Sequence, residues 1–438
     1  MEKFIAFIEQ KFAPIAGKIA GQRHLRALQS SFLTLVGYMT LGSFALLLMS
    51  PIMDYTKMDP GFAQNFMHAW ADFASVASWV LTPIYNVTSG GLSLYVCIGI
   101  AFFLSKRYKF NSLLPIVVTV ASFLIACCVG KDHALDVSYI STGGMFCAIV
   151  LSIATMEFYR FLVEKKVGYI DLAKTGCPDA IADSIGNLAP VLIILLTTST
   201  LSAICQIYFN VTLPDLVGTI ISPISNVIDT PFGFTLIGFL MCFGFWFGIH
   251  DGYLTGPIDA FLYANLGANM TAYAAGTPAD QLPYIVTESF FWNCMLVGGT
   301  CSVVAIAVLC LFSKSEQIKT IGRLGIVPSL FNIGEPIIYG LPLAYNVTML
   351  IPMCIVTPLD GLIFYAATAL GLVNRTMAYP GWNMPTPFGQ FLATMDWRAL
   401  VLSVLLFGLN LLIWYPFIKS YEKQKLAEEA EDRATEAA

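Results

Sequence analysis

The chain has 438 residues, of which 57% are hydrophobic and 12% charged, with a net charge of −5. Soluble chains carry about 25% charged residues, so this composition excludes an ordinary soluble domain. Together with apolar runs of spanning length, it predicts an all-α polytopic membrane protein.

The N-terminal lead-in, MEKFIAFIEQKFAPIAGKIAGQRH, has acidic residues and no cleavage pattern, so it does not read as a signal peptide. Its Phe4, Ile5, Ile8, Phe12 and Ile15 predict an amphipathic helix lying at the membrane interface. A first span covers 27–50, preceded by Lys11, Lys18, Arg23 and Arg26, which puts the N-terminus on the cytoplasmic side. An outer loop with Asp54, Asp59 and Asp72 follows. The second span ends near Leu104, ahead of Lys106, Arg107 and Lys109. A third runs from Asn111 and Pro115 to Gly130, a fourth over 140–162 and a fifth over 185–209. Arg160, Lys165, Lys166 and Lys174 mark the cytoplasm between the last two.

The second half is less regular. Residues 210–231 are apolar but interrupted by Pro214 and Pro223, while 232–249 form a clear apolar run ending in GIHDGYLTGP. Residues 252–285 are rich in Gly, Pro, Asn and Tyr and read as too broken for a normal helix. Spans follow over 287–312, 347–372 and 397–417, and the charged tail reads as a frayed helix. Charge parity asks for one further crossing between 210 and 286, giving about ten spans in all. The division expected is a five-span domain over 1–210 and a second domain over 211–438 with interrupted segments.

Residues 325–342, GIVPSLFNIGEPIIYGLP, interrupt the second half most sharply. Pro328, Gly334, Pro336, Gly340 and Pro342 make a straight spanning helix untenable. Broken backbone survives at membrane depth only where protein covers it or where it lines a wet cavity. Glu335 is the carboxylate in that break, and an intramembrane carboxylate is a functional candidate unless it only pairs with a cation or a backbone group. His250 and Asp251 end an apolar run, either as an interfacial helix stop or as a polar pair able to handle a hydroxyl proton. Trp382, followed by Asn383, sits in a proline-rich loop, as a belt residue or as a platform under a sugar ring. Trp246 has the same two readings, core packing or platform. The eleven cysteines include no CxxC pair and no cluster with metal-ligand spacing. No metal, cofactor or nucleic acid is expected.

The stretch FNIGEPIIYGLP at 331–342 resembles enzyme IIC, the membrane component of the bacterial phosphoenolpyruvate-dependent sugar phosphotransferase system. FGIHDG at 247–252 and PGWNMPTPFGQFLAT at 380–394 carry the same likeness, which is to the lactose, cellobiose and diacetylchitobiose family and most closely to its diacetylchitobiose branch. The resemblance implies a ten-span homodimer in the bacterial cytoplasmic membrane. Its first half would supply much of the dimer contact. The second half, with re-entrant hairpins, would hold a disaccharide. It implies Glu335 and His250 near the hydroxyl to be phosphorylated, and Asn332, Asp251 and Trp382 as sugar contacts. A separate phosphorylated enzyme IIB, carrying its phosphoryl group on cysteine, would be the donor, because this chain has no P-loop and no phosphocysteine domain. Many relatives have Asn where this chain has Gly334, and the smaller residue is expected to leave room for a bulkier sugar substituent. The alternative reading is an ion-coupled sugar transporter using Glu335 and His250 as a proton relay.

Overall fold

The computed structural model describes residues 22–49, 51, 55–110, 112–130, 133–170, 185–247, 252–341, 343–344 and 346–436. The expected interfacial helix of the lead-in and the His250–Asp251 pair lie outside these residues. The described residues are mostly helical, and the chain divides into two compact units. One comprises Gly17–Gly42 and Val80–Ser225, and the other includes Ser43–Trp79 and Asn226–Ala438. Among the described residues five helical segments are long and apolar enough to cross a bilayer, or up to six if Leu213–Ile228 and Pro231–Trp246 form one broken span.

The first unit is built from α1 (Arg23–Met49, as far as Gly42), the end of α2 (Phe62–Thr88), α3 (Leu92–Tyr108), α4 (Leu114–Ala126), α5 (Met145–Glu164), α6 (Leu188–Tyr208) and α7 (Leu213–Ile228). A small hairpin, β1 (Cys128–Val129) with β2 (Ala134–Leu135), follows α4. α3, α4 and α5 pack on one another, and α6 packs on α4 and α5. Small residues set the closest approach, as they do between membrane helices. A Cβ on Gly99 would collide with Ser31, whose hydroxyl donates to the Val96 carbonyl at 3.2 Å. At the Arg-rich end of these helices Glu157 is a hub. One carboxylate oxygen bonds His24 Nε2 at 2.6 Å, Arg23 Nη2 at 3.2 Å and the Tyr108 hydroxyl, and the other meets Arg160 Nη2 at 3.1 Å. One carboxylate thus ties α1, α3 and α5 together where the sequence places the cytoplasm.

The second unit holds α8 (Pro231–Trp246), α9 (Gly252–Ala274), α10 (Val303–Leu311), α11 (Glu316–Leu330), α12 (Glu335–Gly340), α13 (Val347–Ala369), α14 (Phe388–Thr394) and α15 (Trp397–Glu436). Its core includes a large cluster with Phe234, Phe290, Met295, Phe364 and Trp414. α8 and α13 close around Met295 because both present glycine to it. A Cβ on Gly238 would meet Met295 Cε at 2.9 Å, and one on Gly361 would meet Cγ at 2.6 Å.

Four expectations change on this fold. The span over 287–312 is broken: a π-helical turn at Phe290–Cys294 leads into Gly298 and Gly299, both left-handed, and only α10 is regular helix. Conversely, 252–285 is not broken throughout, since α9 is a helix of 23 residues. Buried Leu262, Tyr263, Leu266 and Met270 supply packing that outweighs the poor propensity of its Gly and Asn residues. Part of the expected outer loop is also helix, with Asp72 exposed on α2 beside His68. Finally, α15 runs unbroken through the charged tail to Glu436. It is held there by Glu429, which accepts from the Ser315 hydroxyl at 2.5 Å, and Ser315 is itself the N-cap of α11.

Candidate functional site

The corner that carries Glu335 is shaped by how α11 ends. The Ile333 N–H donates to Pro328 O at 3.1 Å and the Asn332 N–H to Ser329 O at 2.9 Å, with Asn332 at φ +62° between them. This is a Schellman closure, and its left-handed residue is usually Gly or Asn. Asn is tolerated there, and unlike Gly it brings a side chain. Asn332 Nδ2 donates to the Trp382 carbonyl at 2.6 Å and lies 3.4 Å from the Met384 carbonyl. The end of α11 is thereby bonded to the loop 50 residues later in the chain.

Two residues on, Gly334 is the N-cap of α12, with Glu335 in its first turn and Pro336 beside it. Proline suits that position because the missing N–H would have no helical partner there. A carboxylate at a helix start faces unpaired N–H groups and is favoured by them. Glu335 is half-buried. The space beside Gly334 is not open, contrary to expectation. A Cβ there would meet Val303 Cγ1 at 2.9 Å and Ile338 Cδ1 at 3.3 Å, so the volume an Asn would need is already filled by α10 and α12.

The Trp382 loop is anchored at both ends. Tyr379 N donates to Ser43 Oγ at 2.7 Å, and Met377 N and Ala378 N donate to Ala393 O. Gly381, at φ +99°, turns the chain so that Trp382 and Asn383 face outward. Trp382 is 37% exposed, whereas Trp246 is 1% exposed with its indole N–H given to Asn346 O at 2.7 Å. Of the two tryptophans, Trp382 has a face available to a ligand and Trp246 is a core side chain here. The structure therefore brings Asn332, Glu335, Trp382 and Asn383 to one corner of the second unit. His250 and Asp251 are outside the described residues.

Several residues that support this corner gave little warning in the sequence. Gln390 Nε2 donates to the Asn293 carbonyl at 2.6 Å and lies 3.2 Å from Thr386 Oγ1, which accepts from Gly298 N at 2.9 Å. A Cβ on the neighbouring Gly299 would lie 3.4 Å from Asn332 Cα, so the 298–302 turn backs directly onto Asn332. Glu288, 1% exposed, accepts from Ser289 Oγ at 3.3 Å. It stands alone in an apolar stretch as Glu335 does, and the rule that singled out Glu335 applies to it equally.

The phosphotransferase system EIIC family model matches residues 29–357. The chain belongs to the EIIC family. It is the membrane component of a phosphotransferase-system sugar transporter, an integral protein of the bacterial cell membrane, and it works by group translocation with an EIIB domain rather than by ion coupling. Similar proteins include the cellobiose-specific EIIC component of Geobacillus stearothermophilus, 28% identical with 99% of this chain and 97% of that protein covered. The lactose-specific EIICB component of Staphylococcus epidermidis is 27% identical, with 98% of this chain and 72% of that protein covered. Among solved structures, the transporter ChbC, the IIC component of an N,N'-diacetylchitobiose-specific phosphotransferase system, superposes with a TM-score of 0.85 at 28% identity. That likeness covers 97% of this chain and 99% of ChbC.

Proposed function

We propose that this EIIC imports a disaccharide of the diacetylchitobiose or cellobiose type and offers its 6-hydroxyl to a phosphorylated EIIB. The observation that carries the site assignment is the Asn332–Trp382 bond, which joins the Glu335 corner to the one tryptophan of the two with an exposed face. The likenesses to a diacetylchitobiose IIC and a cellobiose-specific EIIC support the substrate class. Trp382 lies under a sugar ring, with Asn332, Asn383 and Asp251 as polar contacts. Glu335 and His250 flank the reacting hydroxyl.

In the transfer, the sugar oxygen attacks phosphorus, the S–P bond of EIIB breaks and the thiolate leaves, while the hydroxyl proton passes to the Glu335 carboxylate. His250 orients the same hydroxyl. Phosphoryl transfer depends mainly on positioning and charge stabilisation, so few protein groups suffice. The chain is a ten-span homodimer with re-entrant hairpins in its second half, dimer contact through 1–210, sugar binding in 211–438 and both termini in the cytoplasm. Labelling of terminal tags from outside intact cells would refute that orientation. The decisive test of the site is Glu335→Gln. It keeps sugar binding and loses most phosphosugar production with phosphorylated EIIB, and normal production would overturn the assignment.

A further inference from the structure

Asp360 sits in the middle of α13, 1% exposed. Asn410 on α15 is 0% exposed, and its Nδ2 donates to Asp360 Oδ2 at 2.7 Å and to Ser302 Oγ at 3.1 Å, with Val297 O at 3.5 Å. The other oxygen of each side chain, Asp360 Oδ1 and Asn410 Oδ1, is inaccessible and has no hydrogen-bond partner among the described residues. Among the described residues no Lys, Arg or His pairs with Asp360. The elements packed on α13 include α8, α15, the 300–302 turn and the π-helical turn at 290–294, whose one ionisable side chain is Cys294. α8 and the 300–302 turn contain no ionisable side chain except Cys242 and Cys301, and α13 has only Cys354 and Tyr365 besides Asp360. On α15 the nearest cations in sequence, Lys419 and Arg398, are about 13 and 18 Å along the helix from Asn410.

A buried carboxylate with one neutral partner is costly, and a buried carboxamide oxygen without a donor adds to that cost. Exchanging the amide N and O of Asn410 does not help. It would turn the amide oxygen toward Asp360 Oδ2 and the Val297 carbonyl, setting acceptor against acceptor. In either orientation the pair lacks one hydrogen.

We propose that Asp360 and Asn410 form a proton-binding site, in which Asp360 is a neutral carboxylic acid that supplies the missing donor. One proton then serves acceptors that no other group among the described residues reaches, and it removes a net charge from the interior of the second unit. The pair is a positioning element. Through Asn410 it bonds Val297 and Ser302, at the two ends of a turn in which Gly298, Gly299, Cys301 and Ser302 all have positive φ. Asn332 packs against Gly299 of that turn. The inference does not depend on which sugar is carried, and its main readouts are independent of sugar.

The test uses the purified full chain and the variants Asp360→Asn, Asp360→Ala and Asn410→Leu. An amide can replace a neutral acid, giving and accepting one hydrogen bond with Asn410, so Asp360→Asn keeps the wild-type thermal midpoint. Asp360→Ala and Asn410→Leu lower the midpoint. In infrared spectra at neutral pH, wild type minus Asp360→Asn shows the carbonyl stretch of a protonated carboxyl. Three results would each overturn the proposal. They are failure of Asp360→Asn to fold, a carboxylate band in place of the acid band, or a wild-type midpoint raised by sodium chloride above equal choline chloride and lost in Asp360→Asn. The last would assign the site to a sodium ion instead.

Discussion

Replacement of Asn332 separates two demands that one side chain meets. Its backbone is left-handed at φ +62°, and its amide donates to the Trp382 carbonyl at 2.6 Å. Asn332→Gly keeps the backbone free to turn and leaves that carbonyl without its donor, a cost of about 1–3 kcal/mol. Asn332→Ala loses the same bond and, relative to Asn332→Gly, keeps a Cβ in the left-handed region without an Asn side chain to offset it, roughly 1–2 kcal/mol worse than Gly there. If the bond holds Trp382 in place for the sugar, Asn332→Gly weakens disaccharide binding about five- to a hundredfold, since roughly 1.4 kcal/mol is tenfold in affinity. Asn332→Ala weakens it further or lowers the thermal midpoint more. Asn332→Asp is the discriminating variant. It tolerates the left-handed turn but aims an acceptor at the Trp382 and Met384 carbonyls, so it binds no better than Asn332→Gly. Isothermal titration with diacetylchitobiose, alongside thermal midpoints, reads all three. Wild-type affinity in Asn332→Gly would refute the clamp, and wild-type affinity in Asn332→Asp would mean that Asn332 acts through its oxygen alone.

Two further outcomes follow from the same geometry. Trp382→Ala removes the exposed ring and, at roughly 1.5–3 kcal/mol for a large apolar side chain, weakens binding of diacetylchitobiose and cellobiose about ten- to a hundredfold. An unchanged dissociation constant for both sugars would make Trp382 a belt residue. Gly361→Val drives a branched side chain into Met295 and Phe234, whose atoms would already lie 2.6 and 2.9 Å from a bare Cβ. Overpacking of this kind costs about 1–3 kcal/mol, so the thermal midpoint falls, and an unchanged midpoint would show that the α8–α13 seam is loosely packed.

The helical class, the broken segment at 325–342 and the exposed Trp382 loop were legible because each has a local cause. Long apolar runs need internally satisfied backbone, Gly and Pro interrupt helices, and a tryptophan among prolines cannot join one. The break inside 287–312 was harder to see. Its residues are almost all apolar, and the signal lay in Gly298–Gly299 and the flanking Thr300 and Ser302 rather than in hydropathy. α9 failed in the opposite sense. Its Asn265 and Asn269 look like helix breakers, yet their side chains are used by other segments. Propensity describes a residue's own backbone and carries no information about such distant use.

That distant use follows a common physical pattern. Water is scarce at membrane depth, so a carbonyl freed by irregular backbone needs a donor from a side chain. In the second unit these donors are mostly carboxamides and indoles. Asn265 serves Val286, Asn269 serves Tyr284 and Thr376, and Gln390 serves Asn293. Asn332 serves Trp382, Asn410 reaches toward Val297, Trp246 serves Asn346 and Trp414 serves Cys301. Each accepting carbonyl lies in, or at the edge of, a segment between the long helices or in the π-helical turn. An Asn, Gln or Trp in an apolar stretch of this chain therefore marks a break elsewhere as often as one at its own position. The Glu335 corner is one case of that arrangement. Asn332 closes one helix with its backbone and fastens a distant loop with its amide. The break that exposes Glu335 is thus held by the same residue that holds the loop beneath Trp382.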